Sequence, residues 1–264
     1  GPEVLGSTVQ GMAYAGGRLY VVANTAGRID VFDGTSLERV AQSDASFTNP
    51  RYIALVGGDK AYVTDQVYGG ASTVTVLDVS SETLTASGTV EVSGSPEGVT
   101  LAGNRAYVAL GAFGASTHVG VIDTGTDELV EEIDIGCAAR FVLADADDEV
   151  FAFCNTLDDE EQSAEGQVVI LEGATGAEVK RITLDGIVQS ASGVTQAAAH
   201  APDARGMYVV VEGQTVVRLS TTTNEVVGQI GPLDGDPVGA LGYDAEAERL
   251  YLGRVPGYAT SGTV

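Results

Sequence analysis

A repeated pattern of four short β-strands with a recurring aromatic residue constrains this chain more than any other feature. The stretch from Tyr52 to Val92 contains four apolar, β-branched runs separated by turns rich in Gly, Asp and Ser, a pattern typical of a β-meander. The aromatic of its second strand recurs at Tyr20, Tyr62, Tyr107, Phe151, Tyr208 and Tyr251. These aromatics are 42, 45, 44, 57 and 43 residues apart, and four strands per repeat of about 40–45 residues indicate a β-propeller blade.

The repeats predict an all-β fold, a single β-propeller domain over residues 1–264 built of four-stranded antiparallel blades. Six units are visible, near 9–47, 51–92, 97–135, 140–184, 195–230 and 237–264. Because the last unit is incomplete, we expect a seven-bladed parent, and a six-bladed ring with an incomplete final blade is the alternative. Glu3–Ser7 is similar to the end of a fourth strand, so we expect it to supply the outer strand of the last blade.

A short acid or hydroxyl residue ends the third strand of most units. It is Asp33, Asp78, Asp123, Glu172 and then Ser220. Such side chains accept hydrogen bonds from the backbone N–H groups of the turn that follows. A residue needed once per repeat is expected to serve the blade rather than catalysis. The recurring aromatic rings are likewise predicted to pack between neighbouring blades.

The charge of the chain limits its partners. The net charge is −24, with 37 acids against 13 bases, and only two of these bases are lysines. Such a surface repels a phosphate backbone, which argues against nucleic-acid binding. An acid-rich, lysine-poor chain fits a high-salt habitat, and a generically acidic secreted protein is the alternative. The chain contains no run of eighteen apolar residues, so no transmembrane segment is predicted. Gly1-Pro2 indicates a processed or engineered start.

One face of the disc is expected to collect the functional residues. When four antiparallel strands run outward from the axis, the connections between blades and the loops between second and third strands lie on the same side, here called the loop face. Loops on a rigid scaffold are common places for binding groups, and arginine with exposed aromatics is a mixture favoured in binding sites. The candidate ligand-binding residues are Arg51, Tyr52, Tyr68, Phe113, Arg140, Phe141, Arg254 and Tyr258.

Two alternatives to a ligand site stay open for these residues. Arg51 and Arg140 are also explained by ion pairs with blade carboxylates, and the loop aromatics by capping of the sheets. Cys137 and Cys154 are predicted to face each other across the first two strands of unit four and to form a disulfide, worth about 3 kcal/mol and typical of an oxidising compartment. Two buried free thiols are the alternative.

Unit four is irregular. Its connection between second and third strands, Asn155–Gly166, is long enough to predict a functional or mobile loop, and a second long connection covers Asp185–Thr195. The acids within 158–165 favour a solvated loop over a Ca²⁺ site, because they lack the alternation that places ligands around one ion. Neither His118 nor His200 has a sequence partner that would make a catalytic triad or a metal site.

The repeats resemble a known family. Ala61–Asp65 followed by Val74–Asp78 is similar to the YVTN-type, or YncE-like, β-propeller repeat, and the resemblance covers nearly the whole chain. Asn49–Ala54 and Gly94–Gly98 resemble the first strands of blades in a Bacteroidetes surface-lipoprotein branch, which includes propellers that capture cobalamin beside an outer-membrane transporter. Units four and five depart from the repeat, with Phe151–Cys154 in place of the YVTN residues and Ser220 in place of the acid. The resemblance implies seven blades, export, and binding rather than chemistry.

The function expected from the sequence is that of an exported, non-enzymatic propeller that captures a small ligand or a partner on its loop face. The specific version is a cobalamin-type nutrient for an outer-membrane transporter, with the protein a monomeric domain at the cell surface as an outer-membrane lipoprotein, or alternatively in the periplasm. We expect no cofactor of its own and no catalytic residues. The alternatives are a lactonase- or lyase-like propeller enzyme with a metal in its central channel, and a structural cell-surface module.

Overall fold

The structure is a computed structural model that describes residues 6–44, 46–189, 197–203 and 205–255. These residues form β-strands joined by turns, with two 3-10 turns, Asn24–Ala26 and Ala112–Gly114, and none of their helices is long and apolar enough to cross a membrane. The first two sheets consist of β1 (Val9–Ala15), β2 (Arg18–Ala23), β3 (Arg28–Asp33), β4 (Arg39–Ser43), and β5 (Pro50–Val56), β6 (Lys60–Asp65), β7 (Ser72–Asp78), β8 (Thr83–Val92).

The remaining strands form four further sheets. Sheet three consists of β9 (Val99–Ala102), β10 (Arg105–Ala109), β11 (His118–Asp123) and β12 (Glu128–Asp134), and sheet four of β13 (Ala138–Ala144), β14 (Glu149–Leu157), β15 (Ser163–Glu172) and β16 (Glu178–Thr183). Sheet five consists of β17 (Ala198–Ala201), β18 (Gly206–Val211), β19 (Thr215–Ser220) and β20 (Glu225–Ile230), and sheet six of β21 (Val238–Asp244) and β22 (Arg249–Arg254).

The sheets repeat one antiparallel order, in which each strand pairs with the next along the chain. The four strands predicted between Tyr52 and Val92 are present as β5 to β8. Sheets one and two are also joined at their outer strands, because β4 pairs with β8 in parallel at Gln42 and Thr83. The fold is therefore all-β and propeller-like, as the repeats predict.

The recurring aromatic residues pack between neighbouring sheets. Tyr20, Tyr62, Tyr107 and Phe151 are buried. The Tyr62 hydroxyl donates a hydrogen bond to Asp127 of sheet three, and the Tyr107 hydroxyl donates to the Gly173 carbonyl of sheet four at 2.9 Å. The predicted packing between repeats is confirmed for these four residues, and each ring contributes on the order of 150–250 Å² of buried surface.

The packing of buried rings between neighbouring sheets does not continue between sheets six and one. Tyr251 is 43% exposed, although it occupies the position of the buried Tyr20 and Tyr62. On the other side Met12 and Tyr14 of β1 are 65% and 66% exposed. A cavity of about 400 Å³ separates β1 from β21, and among the described residues these two strands do not pack as the other neighbouring first strands do.

The acid that ends each third strand shapes the turn after it. Asp33 Oδ1 accepts hydrogen bonds from the backbone N–H groups of Ser36 and Thr35 at 2.7 and 2.9 Å, and these bonds lower the pKa of Asp33. The same arrangement recurs at Asp78, Asp123 and Ser220. The prediction that these residues serve the turns is confirmed for these four, whereas the Glu172 side chain accepts a hydrogen bond from the Thr175 hydroxyl.

Unit four differs from its prediction. The predicted loop Asn155–Gly166 is wrong, because β14 and β15 pair as far as Leu157 and Ser163 and leave only a short turn, 158–162, between them. Cross-strand pairing satisfies backbone groups that a loop would leave to solvent, and the acids of the turn stay exposed at the hairpin tip. The predicted outer strand at Glu3–Ser7 lies largely outside the described residues, as does the second half of Asp185–Thr195.

Candidate functional site

A buried ion-pair cluster lies where the first strands of sheets two, three and four begin on the loop face. Glu97 is fully buried and accepts two hydrogen bonds from Arg51, from Nε at 3.1 Å and from Nη2 at 2.7 Å. Arg140 Nη2 lies 3.4 Å from the same carboxylate. One carboxylate therefore holds two arginines from different sheets.

Other polar groups complete the surroundings of Glu97. Thr64 Oγ1 donates to the Glu97 carbonyl at 2.8 Å, and Gln66 Nε2 donates to its carboxylate at 3.3 Å. A buried charge is tolerated when it is paired and its remaining sites are hydrogen-bonded. Because Arg51 is only 5% exposed and both of its bonds go to Glu97, its role here is to connect the sheets, which is the alternative that the sequence left open for it.

The rings of Tyr52 and Phe141 lie beside this cluster. They meet edge to face, with ring centroids 6.2 Å apart, and both are buried. The same apolar cluster includes Val209 of sheet five and Val238 of sheet six. Burial, together with the charge of Glu97, raises the pKa of the Tyr52 hydroxyl. These two predicted site residues thus pack between the sheets.

Phe113 and Arg140 form the exposed part of the site. Phe113 lies in the 3-10 turn Ala112–Gly114, is 63% exposed, and adopts a left-handed backbone conformation with φ of 58°, which costs energy for a bulky residue. The guanidinium carbon of Arg140 lies 5.2 Å from the centre of its ring and 5.9 Å from that of Phe141. Arg140 Nε is buried and has no hydrogen-bond partner among the described residues.

A cavity of about 500 Å³ opens beside this pair, between sheets three and four. Its further lining comes from the β14–β15 hairpin and from the segment after sheet four. Those residues are Asn155, Leu157, Glu161, Gln162, Ser163, Ile187, Val188 and Gln189. A cavity of this size, with mixed polar and apolar walls, is in the range of small-molecule sites.

The side of the cavity that includes Ala138, Asn155 and Val188, here called its floor, is held by a disulfide and by hydrogen bonds to the segment after sheet four. The structure joins Cys137 to Cys154 in a buried disulfide, the first of the two possibilities that the sequence left open. Each cysteine is followed directly by a lining residue, Ala138 and Asn155. The Asn155 side chain bonds both backbone groups of Val188, at 2.8 and 3.0 Å. The floor is therefore rigid, while Phe113 and the hairpin tip lie at the surface.

The other predicted site residues lie elsewhere. Tyr68 is 74% exposed, and its hydroxyl accepts a hydrogen bond from Asn49 at 3.4 Å, but it does not line this cavity. Arg254 Nη1 donates to the carbonyls of Asp234 and Asp236 at 2.8 and 2.6 Å. Tyr258 lies outside the described residues. Of the eight predicted residues, the structure brings Phe113 and Arg140 together at the cavity.

Sequence reasoning missed the hairpin and Val188 as parts of the site. The signal was the unusual length of Asn155–Gly166, which indicated function without indicating shape. No group of three metal-binding side chains occurs in the described part of the chain. Of the histidines, His118 contacts Ser116 at 3.2 Å, and burial lowers the pKa of His200.

Comparison with solved structures gives the fold. The chain is similar to hydrazine synthase of Kuenenia stuttgartiensis, with 15% identity and a TM-score of 0.64 over 94% of this chain and 95% of that one. It is similar to a chain of the Mitotic Checkpoint Complex, with 15% identity and a TM-score of 0.69 over 92% and 73%. For the computationally designed Ika8 protein the values are 13%, 0.63, 94% and 71%.

These identities are low enough that the likeness concerns the propeller-like fold alone. No curated protein matches the chain. A family match covers residues 1–250, nearly the whole chain, and is described as Domain of unknown function (DUF5074). The chain therefore belongs to the DUF5074 family.

Proposed function

We propose that this protein is a non-enzymatic binding protein that captures a small ligand in the loop-face cavity between Phe113 and the β14–β15 hairpin. The observation that supports this best is the meeting of an exposed aromatic ring and an arginine in a cavity of about 500 Å³. Sites for small molecules combine apolar walls with a few polar groups that orient the ligand.

The construction of the cavity supports the same role. The Cys137–Cys154 disulfide and the Asn155 hydrogen bonds fix its floor, and the Arg51–Glu97 pair fixes the strand that follows Gly94–Gly98 against its neighbours. A preformed site loses little conformational freedom when it binds. Rigid walls around one exposed ring thus favour capture of a ligand from solution.

A binding role fits the centre of the molecule better than the alternative of an enzyme with a metal in the central channel. The buried rings of Tyr52 and Phe141 make part of that region apolar. The lining of the 500 Å³ cavity includes neither His118 nor His200, the side chains that most often act as general bases. The proposal is therefore capture without chemistry.

The proposal also covers the location and the partners of the protein. The YVTN-type resemblance and the disulfide support export to an oxidising compartment, at the cell surface as an outer-membrane lipoprotein or in the periplasm. The specific version is a monomeric domain that captures a cobalamin-type nutrient for an outer-membrane transporter. The surplus of acids supports a high-salt habitat. A structural cell-surface module remains the second candidate, since a solved neighbour is part of a complex named the Mitotic Checkpoint Complex.

For the fold, we propose a seven-bladed ring. Met12 and Tyr14 on sheet one and Tyr251 on sheet six are exposed at positions whose equivalents, such as Ile53 and Tyr62, are buried between sheets. Two apolar faces exposed toward one gap support a further blade between sheets six and one.

A thermal-shift panel of corrinoids, haem, oligosaccharides and short peptides tests the binding role. A ligand at one hundred times its Kd adds about 2.7 kcal/mol to the unfolding free energy, which raises the Tm of a chain of this size by roughly 5–10 °C. The rise should be lost in Phe113→Ala and kept in Tyr14→Ala, which removes an equally exposed ring outside the loop face. A panel without any rise, or a rise that Phe113→Ala retains, contradicts the proposal.

A further inference from the structure

We propose that the ligand of the Phe113 cavity is a short peptide or an amino acid that has a free carboxylate, a free ammonium group and an apolar side chain. This inference rests on the proposed binding function and assigns a chemical class to its ligand, in place of the cobalamin-type nutrient that the family resemblance suggests. It follows from two opposite charges and one apolar wall that meet in the same cavity.

Arg140 is the group for the carboxylate. The Phe113 and Phe141 rings contact its guanidinium, at 5.2 and 5.9 Å from its carbon. Its one hydrogen bond is long, 3.4 Å from Nη2 to Glu97, and that carboxylate already accepts two shorter bonds from Arg51. The Arg140 side chain is 21% exposed, and within the described residues its Nη1 donates to no group, so it retains a donor for a carboxylate.

Glu161 is the group for the ammonium. It lines the same cavity, is exposed, and forms no ion pair within the described part of the chain. Its backbone is fixed in the hairpin turn by a bond from Glu161 N to the Asp158 carbonyl at 3.0 Å. A cation placed between this carboxylate and the Phe113 ring gains from both.

The net charge of the protein favours a ligand with both charges over a simple anion. At −24 the surface repels anions from a distance, and Glu161 lines the cavity itself. A zwitterion has no net charge to be repelled, and it still offers a carboxylate to Arg140. Phosphates and polycarboxylates do not share this advantage.

The remaining walls suit a peptide. Leu157, Ile187 and Val188 supply apolar surface for a side chain. Gln162 and Ser163 also line the cavity, and the side chains of both can bond the amide of a peptide linkage. The cavity thus offers one partner for each part of a dipeptide.

Calorimetry with three probes tests the inference on the natural chain. The probes are leucylleucine, its C-terminal amide and its N-acetyl derivative. We expect leucylleucine to bind, the amide to bind at least ten-fold more weakly, and the N-acetyl form to bind two- to five-fold more weakly, because Glu161 is exposed and screened by salt. An amide that binds as tightly as leucylleucine overturns the inference.

Matched variants assign the two charges. In Arg140→Gln the amide and leucylleucine should bind equally, and in Glu161→Gln the N-acetyl form should match leucylleucine. Glu128→Gln, an exposed glutamate outside the cavity, should leave both differences unchanged. If Arg140→Gln fails to fold, the three probes on the natural chain and the Glu161→Gln variant still test the inference. An undiminished preference for leucylleucine over its amide in folded Arg140→Gln contradicts the assignment.

Failure of this inference differs from failure of the proposed function. If no dipeptide probe binds but the thermal-shift panel finds a ligand whose effect Phe113→Ala removes, the peptide class is wrong and the binding role stands. If the panel and the probes are both silent, the binding role is wrong as well.

Discussion

Replacing Glu97 tests the ion-pair cluster that joins three sheets. In Glu97→Gln the carboxylate is lost while Arg51, 5% exposed, stays buried without its charge partner. The two bonds of 3.1 and 2.7 Å from Arg51 and the contact of 3.4 Å from Arg140 all lose their acceptor charge. Removing one partner of a buried ion pair costs about 3–5 kcal/mol, so we expect the unfolding free energy to fall by that amount.

Urea denaturation followed by circular dichroism measures this change. A loss of about 3–5 kcal/mol is a large part of the roughly 5–15 kcal/mol that stabilises a folded domain. Glu91→Gln is the control, because Glu91 is exposed in β8 and surface substitutions change stability by about 0.5 kcal/mol at most. A loss below about 1 kcal/mol for Glu97→Gln would show that the cluster does not hold the sheets together.

Three further outcomes follow from the structure. Replacing both cysteines by serine should lower the unfolding free energy by about 3 kcal/mol, as closing a loop with a sequence separation of 17 implies. The double variant Asp33→Asn/Asp123→Asn should have a lower free energy of unfolding than the natural chain at neutral pH. Because the pKa of both acids lies below the ordinary 3.8 in the folded state, this deficit should persist above about pH 4 and vanish as the pH falls through the lowered values. Hydrogen peroxide should oxidise Met12, 65% exposed, well before the buried Met207, and mass spectrometry of peptides separates the two.

A specific result would contradict each of these predictions. Unchanged stability of the serine variant under oxidising conditions would mean that the thiols are free. A deficit of the asparagine variant that persists to about pH 2 would mean that its cause is not the carboxylate charge. Equal oxidation of both methionines would contradict the packing of sheet five, and protection of Met12 in a longer natural product would support a further blade over β1.

The repeat makes the framework predictable. The spacing of Tyr20, Tyr62 and Tyr107 locates the strands and the packing between sheets, because a ring needed once per repeat has to occupy equivalent positions. The repeat likewise assigns the acids Asp33 and Asp78 to turns, since a short side chain after a strand bonds the next backbone N–H groups.

The site is less predictable for physical reasons. The repeat places Arg51 and Tyr52 at the start of a first strand but does not say which side chains face the centre, and the partner that buries Arg51 is Glu97, 46 positions away. The β14–β15 hairpin, which lines the cavity, has the amino-acid composition of a loop. Its strand pairing depends on register rather than on residue type, so composition did not predict it. Among the predicted site residues that the structure describes, Phe113 and Arg140 lie at the cavity.

A tryptophan reporter tests the binding site most directly. The chain contains no tryptophan, so Phe113→Trp places a single indole at the mouth of the cavity, and Tyr68→Trp places one on the same face outside it. Titration with leucylleucine and with every ligand that raises the Tm should change the emission of Phe113→Trp in a saturable way and leave that of Tyr68→Trp unchanged. An emission change that is equal in both variants, or absent from both, would contradict a ligand site at this cavity.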